Sequence, residues 1–343
     1  MDTLSTGGDV SPSEAETVWL RVDRMKRADA TNRLIDMLLA ANGALRVPAL
    51  RLDRTSRRAL DGLVREGAVL RRGAAVYLPG TEPGLVRCAE TGALLTCEAG
   101  ARAYGLPWYG SERSTHLAVD SRWGHVVADR GVIHYEHRLP RPGPLDPPVV
   151  EPPILAARVL RCASEVQAIV VVDAILNRGL ASREEIAARL RGNRHGAPQA
   201  RRRLARASEK ARSMIETVAR LELEDAGHSV RPGVVVEGVG EVDLIVDDRL
   251  CVETDGYAYH SAPGPWTKDR HRDQALLGRG TPTVRLTYDD VMSSRAVPVV
   301  EQALLGLGWL STRAPQNARG DARRCITAGQ TVGNREGARL PAL

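Results

Sequence analysis

The chain has 343 residues, 43% of them apolar and 26% charged, with a formal net charge of +6. That length is enough for roughly two or three domains with real cores, and the basic balance is compatible with a polyanionic partner. No run of about 18 apolar residues occurs and the N-terminus lacks an apolar signal core, which excludes a membrane-spanning helix and argues for a cytoplasmic protein.

The positive charge is almost all arginine, since only Lys26, Lys210 and Lys268 are lysines. Cys88, Cys97, Cys162, Cys251 and Cys325 stand far apart and form no C-x-x-C pair. That spacing speaks against a zinc ribbon or a disulfide framework.

In chain order, residues 1–28 are polar and read as disordered. Residues 29–80 read as a winged helix-turn-helix. A helix carries Leu34, Ile35, Leu38 and Leu39 and stops at Asn42-Gly43; a short helix spans about 47–52; a third runs from Ser56 with Leu60, Leu63 and Val64 on one face. A hairpin turns at Arg72-Gly73. In such a module the third helix and the wing face duplex DNA, here with Arg54, Arg57 and Arg58 on the helix and Arg71 and Arg72 on the wing.

Residues 81–206 read as a mixed α/β connecting region. A helix ends near Gly105, two alternating segments follow as strands, and a proline-rich stretch leads to three helices, the last capped by Ser182 with Glu185. His134 and His137 lie in a strand three positions apart, on opposite faces, and read as structural. Asp173, in an apolar helix, reads as a packing or capping residue.

Residues 207–311 carry the densest chemistry, and 312–343 read as a disordered tail. A helix of about 20 residues with Glu216 precedes a strand and then a β-hairpin around Asp247-Asp248-Arg249. Counting back from the turn, Leu244 faces Val252 and Ile245 faces Cys251, so Asp243, Glu253 and Asp255 share one face of the hairpin. Opposed carboxylates repel, and a divalent cation, Mg²⁺ or Mn²⁺, would compensate them. His260 follows, then a helix, a strand and a last helix: an α/β domain with a mixed sheet.

The order Asp243, then Glu253-x-Asp255-Gly256, then His260, then the D-R-x-R-D helix of 269–273 and the V-R-L-T strand of 284–287 resembles the domain of unknown function 559. That family is related to the very-short-patch repair endonucleases of the PD-(D/E)XK superfamily. The resemblance implies a restriction-endonuclease-like fold, a Mg²⁺-dependent endonuclease acting on double-stranded DNA, and metal ligation by Asp243 and Glu253. It further implies that Asp255 stands where many members have a lysine, that His260 fills the water-activating role, and that Glu216 is the helix acid. Arg270, Arg272 and Arg285 would clamp phosphate, with Asp269 and Asp273 orienting them. The N-terminal part resembles, through LLTCEAGARAYGLP and the winged helix, the antitoxin-type domain of abortive-infection (AbiEi-like) systems. The roles implied are repair or phage defence, with a homodimer or a toxin or repair partner in prospect. The alternative is a non-enzymatic, antitoxin-like DNA-binding regulator with an inactive nuclease fold.

Overall fold

The structure is a computed structural model that describes residues 14–111, 115–122, 131–255 and 274–310. The chain divides into two compact units, residues 1–297 and 298–343. Everything described below lies in the first, apart from the greater part of the last helix.

The N-terminal module consists of α1 (Glu14–Ala40), β1 (Ala44–Arg46), a single 3₁₀ turn (Val47–Ala49), α2 (Arg54–Arg65), β2 (Leu70–Arg72) and β3 (Ala75–Tyr77), its sheet in the order β1-β3-β2. α1 starts at Glu14, inside the segment read as disordered, and ends where Asn42 and Gly43 take positive φ. Glycine is needed at that exit, since a Cβ on Gly43 would lie 2.5 Å from the Thr81 hydroxyl. The short helix expected at 47–52 is only the 3₁₀ turn, because Arg46 and Leu50 on either side are extended. α2 starts two residues earlier than expected, as the Asp53 carboxylate accepts the Ser56 N–H and caps the helix there.

The middle region contains α3 (Pro83–Thr91), β4 (Leu94–Leu95), α4 (Cys97–Ala103), β5 (His116–Asp120), β6 (Val132–Glu136), α5 (Pro152–Cys162), α6 (Glu165–Asn177), α7 (Arg183–Arg189) and α8 (Ala197–Arg206). The sheet runs β4-β5-β6, with β5 and β6 parallel. α7 has the expected Ser182/Glu185 capping box, and α6 has a second one built on Ser164 and Gln167. α3 and α8 were not anticipated. The region's core joins α4, α5, α6 and α8, and Leu221 of the next helix belongs to the same buried cluster.

That helix, α9 (Met214–Asp225), is shorter than the 20-residue expectation. Residues 207–213 are not helical, because the Asp173 carboxylate binds the Ser208 N–H and Ser213 caps α9 afresh. Then follow β7 (Val230–Val236), β8 (Gly240–Val246) and β9 (Leu250–Asp255), a helical stretch at 274–278, β10 (Thr283–Thr287), and helices Tyr288–Met292 and Ala296–Gly306. The sheet is mixed, in the order β10-β9-β8-β7 with β10 parallel to β9. The hairpin register is the expected one, Leu244 opposite Val252, Ile245 opposite Cys251 and Val246 opposite Leu250. Its turn places Asp247 and Asp248 at positive φ (50° and 58°), a conformation that Asp tolerates better than most residues and that matches strand twist. The architecture is thus α/β with mixed sheets. Among the described residues no helix is long and apolar enough to cross a membrane.

Candidate functional site

Two polar centres stand out. The first is the acid corner at the foot of the β8–β9 hairpin. Beyond Leu244 the backbone pairing gives way to a side-chain link: Asp243 Oδ2 accepts the Thr254 N–H at 2.9 Å and its hydroxyl at 3.1 Å. Asp243 Oδ1 accepts from the Arg212 guanidinium at 3.1 Å, and Arg212 also reaches Glu241 at 3.5 Å. The Arg212 backbone N–H donates to Glu216 Oε2 at 2.9 Å, while Ser213 Oγ accepts the Glu216 N–H. Glu216 is buried. Burial, more than the nearby Asp243 charge, pushes its carboxyl above the usual range, against the opposing pull of the Arg212 N–H.

This alters one expectation. The opposed acids are compensated by protein donors, above all Arg212, so a cation is not required to hold Asp243 in place. Arg220, one turn after Glu216 on α9, turns away from it. The Arg220 guanidinium instead runs inward to Asp173 at 2.9 Å, with both side chains almost fully buried, and also binds Glu224. Asp173, read as a packing residue, anchors Ser208, Thr217 and Arg220 together.

Glu253 lies on β9 directly across from Arg285 of β10, its Oε1 3.9 Å from the Cys251 thiol. Asp255 is exposed and lies 3.6 Å from the Arg285 guanidinium, so that arginine already has an acidic neighbour. His260, Asp269, Arg270, Arg272 and Asp273 lie outside the described residues. In the N-terminal module Arg54, Arg57, Arg58, Arg71 and Arg72 are all exposed. Arg71 approaches Asp61 of α2 at 3.9 Å, and Arg72 lies 3.3 Å from Glu90 of α3.

The second centre was missed by sequence reasoning. Cys97, His116, His134 and Cys162 present one ligand atom each, all within 4.8 Å of one another. His134 Nε2 is 3.1 Å from His116 Nδ1, and Cys162 Sγ is 3.5 Å from His116 Nδ1 and 3.6 Å from His134 Nε2. Cys97 Sγ is 3.8 Å from His134 Nε2. Contacts from Cys97 first, and from the two imidazoles, hold the Cys162 thiol well below its ordinary range despite its partial burial. His134 thus belongs to a group that could hold a metal ion, whereas His137 is exposed and lies outside it. The local spacing rule that excluded a zinc ribbon does not reach a set gathered from four separate elements.

Comparison with protein-family models and with curated proteins finds no match to the chain.

Proposed function

We propose that the protein binds double-stranded DNA through its N-terminal module and carries, in the C-terminal sheet, a phosphodiester-hydrolysing centre of the restriction-endonuclease type on Asp243 and Glu253. The observation that carries this reading is the buried acid pair Glu216 and Asp243, both bound by Arg212, with Glu253 on the adjacent strand β9. A second buried carboxyl beside the first is unfavourable, and a purely structural hairpin has no need of it. The carboxylate set suits Mg²⁺ or Mn²⁺ in kind, though Arg212 already neutralises Asp243 and would have to yield one oxygen. A bound Mg²⁺ would acidify a water and offset charge building on the phosphate. The protein's own part is to hold the Asp243 carboxylate through Thr254 and to set Arg285 beside Glu253 on the neighbouring strand.

The second reading, a DNA-binding regulator with an inactive nuclease fold, is favoured by Arg212 itself: a guanidinium on the acid is what a centre without a cation would keep. Nicking of supercoiled plasmid separates the two. Cleavage with Mg²⁺, lost in Glu253→Gln and Asp243→Asn while duplex binding persists, supports the first. Binding without cleavage under any divalent ion supports the second.

A further inference from the structure

We propose that Cys97, His116, His134 and Cys162 form a closed, four-coordinate structural Zn²⁺ site that ties the β4-β5-β6 sheet to α4 and α5. The inference is independent of any nuclease activity.

Four of the six edges of the group come close to those a tetrahedral zinc imposes. With Zn–N bonds of about 2.0–2.1 Å and Zn–S bonds of about 2.3 Å, the edges of the ligand tetrahedron come to roughly 3.3 Å for N–N, 3.6 Å for N–S and 3.8 Å for S–S. The measured N–N edge is 3.1 Å and the measured N–S edges are 3.5, 3.6 and 3.8 Å. Ordinary packing does not bring four such atoms to one centre, because two thiols and two imidazole nitrogens offer few complementary donor–acceptor pairs.

The fold aims each ligand from a different element. His116 opens β5, and His134 on β6 sits in register with Ala118, so the alternation of strand side chains puts both imidazoles on one face. Cys162 is the last residue of α5 and Cys97 the first of α4. Cys97 has φ of 51°, a positive value that is unfavourable for a non-glycine residue. Such strain persists where the surroundings demand it; here it accompanies the placement of a fourth ligand. Cys97 and His116 are buried, His134 is half-buried and Cys162 is partly exposed, and the four side chains together would fill a tetrahedral coordination shell. That set of four protein ligands is the structural rather than the catalytic pattern.

The neighbouring charges fit. Arg158 is held by Glu136 and lies 3.4 Å from His134 Nδ1. Zinc on Nε2 leaves the proton on Nδ1, so this long contact would then cease to be a hydrogen bond, while Glu136 keeps Arg158 neutralised. Two thiolates and two neutral imidazoles carry the two negative charges that balance a divalent ion.

The test uses the full chain. Purified protein should contain about one zinc per chain by elemental analysis. Cobalt put in its place should give the intense visible d–d bands of a tetrahedral site and a thiolate-to-cobalt charge-transfer band. Cys162→Ser should lose one thiolate's share of the charge-transfer intensity, and His116→Ala should lose stoichiometric metal. Cys88→Ser and Cys251→Ser, outside the cluster, should change neither. Should a ligand variant fail to fold, wild-type zinc content and the cobalt spectrum still decide. Metal-free protein that takes up no added Zn²⁺, octahedral cobalt spectra, or a thiol count showing Cys97 joined to Cys162 would each overturn the site.

Discussion

The acid corner and the cysteine–histidine cluster gather similar numbers of ligating groups and handle charge in opposite ways. At the acid corner an arginine is inserted among the acids: Arg212 touches Asp243 and Glu241 and binds Glu216 through its backbone. Beneath it, Arg220 does the same for Asp173. In the cluster the four ligand atoms lie within 4.8 Å of one another, and Arg158 meets His134 at its other ring nitrogen. A centre whose charge is met by arginine is stable without a metal, and any cation must compete for it. A centre of soft ligands at tetrahedral spacing is completed by one.

The largest effect that would sharpen this contrast is expected at the buried pair. Asp173→Ala leaves the Arg220 guanidinium buried without its main partner and frees the Ser208 N–H and the Thr217 hydroxyl. Breaking such a pair from one side destabilises by about 3–5 kcal/mol. Urea denaturation of wild type and variant measures it. A loss under about 1 kcal/mol would mean that Arg220 finds solvent or Glu224 at little penalty, and that arginine compensation is not what holds this corner.

Next in size comes Arg212→Ala. It removes the guanidinium from Asp243 while leaving the backbone link to Glu216. Loss of a charged hydrogen bond that is partly solvent-exposed should cost about 1–2 kcal/mol in chelator. If the acid corner also accepts a cation, millimolar Mg²⁺ should restore stability to the variant and do little for wild type. Equal Mg²⁺ responses in the two proteins would break the comparison, since the arginine would then not be occupying the cation's place. Adding Mg²⁺ back after chelation also separates the centres, because it refills a carboxylate site and not a thiolate one.

The parts of this arrangement that were legible in the sequence are those fixed by neighbours in the chain. The hairpin register followed from alternation on either side of Asp247–Arg249, and the Ser182 cap from a four-residue pattern. What was not legible depends on contacts between distant elements. Arg220 stands one turn from Glu216 on α9, yet its partner Asp173 lies on α6. His134 was weighed only against His137 on its own strand, whereas its neighbour His116 arrives through the parallel β5–β6 pairing, and Cys97 and Cys162 come from helix ends. The available signal was weaker than a motif: two cysteines in expected helical segments and two histidines in a segment read as strands, all in the connecting region. The end of α8 and the start of α9 were missed because Asp173, from outside that stretch, holds Ser208 in a non-helical turn.

A smaller effect is the pH dependence that Glu216 introduces. Its folded-state carboxyl sits above the ordinary value of 4.5, chiefly through burial. A raised acid binds its proton more tightly when folded, so its contribution favours the folded state below the ordinary value and is lost as pH rises through the folded one. Glu216→Gln keeps an acceptor for the Arg212 N–H and removes the buried charge. The variant should melt higher than wild type near neutral pH, with the difference vanishing well below the ordinary carboxylate range. A variant that melts lower at every pH would show that the carboxylate's bond to Arg212 outweighs its burial.

The smallest expected change in stability, and the one that carries the comparison from charge storage to partner binding, is at Arg57 and Arg58. Both are exposed on α2, and neither has a role in the cores of the N-terminal module. Replacing either by Ala should alter stability by no more than about 0.5 kcal/mol. If these arginines meet phosphates, each replacement releases roughly one fewer counterion, and the slope of log affinity against log salt becomes shallower by about one unit per arginine. Arg72 is a useful contrast because its guanidinium lies beside Glu90. Its phosphate contact competes with that acid, so Arg72→Ala should change the slope less than Arg57→Ala or Arg58→Ala. Duplex binding titrated at several salt concentrations reads all three. Unchanged slopes in both α2 variants would remove the recognition-helix assignment, and an Arg72 effect as large as theirs would show that Glu90 does not hold it back.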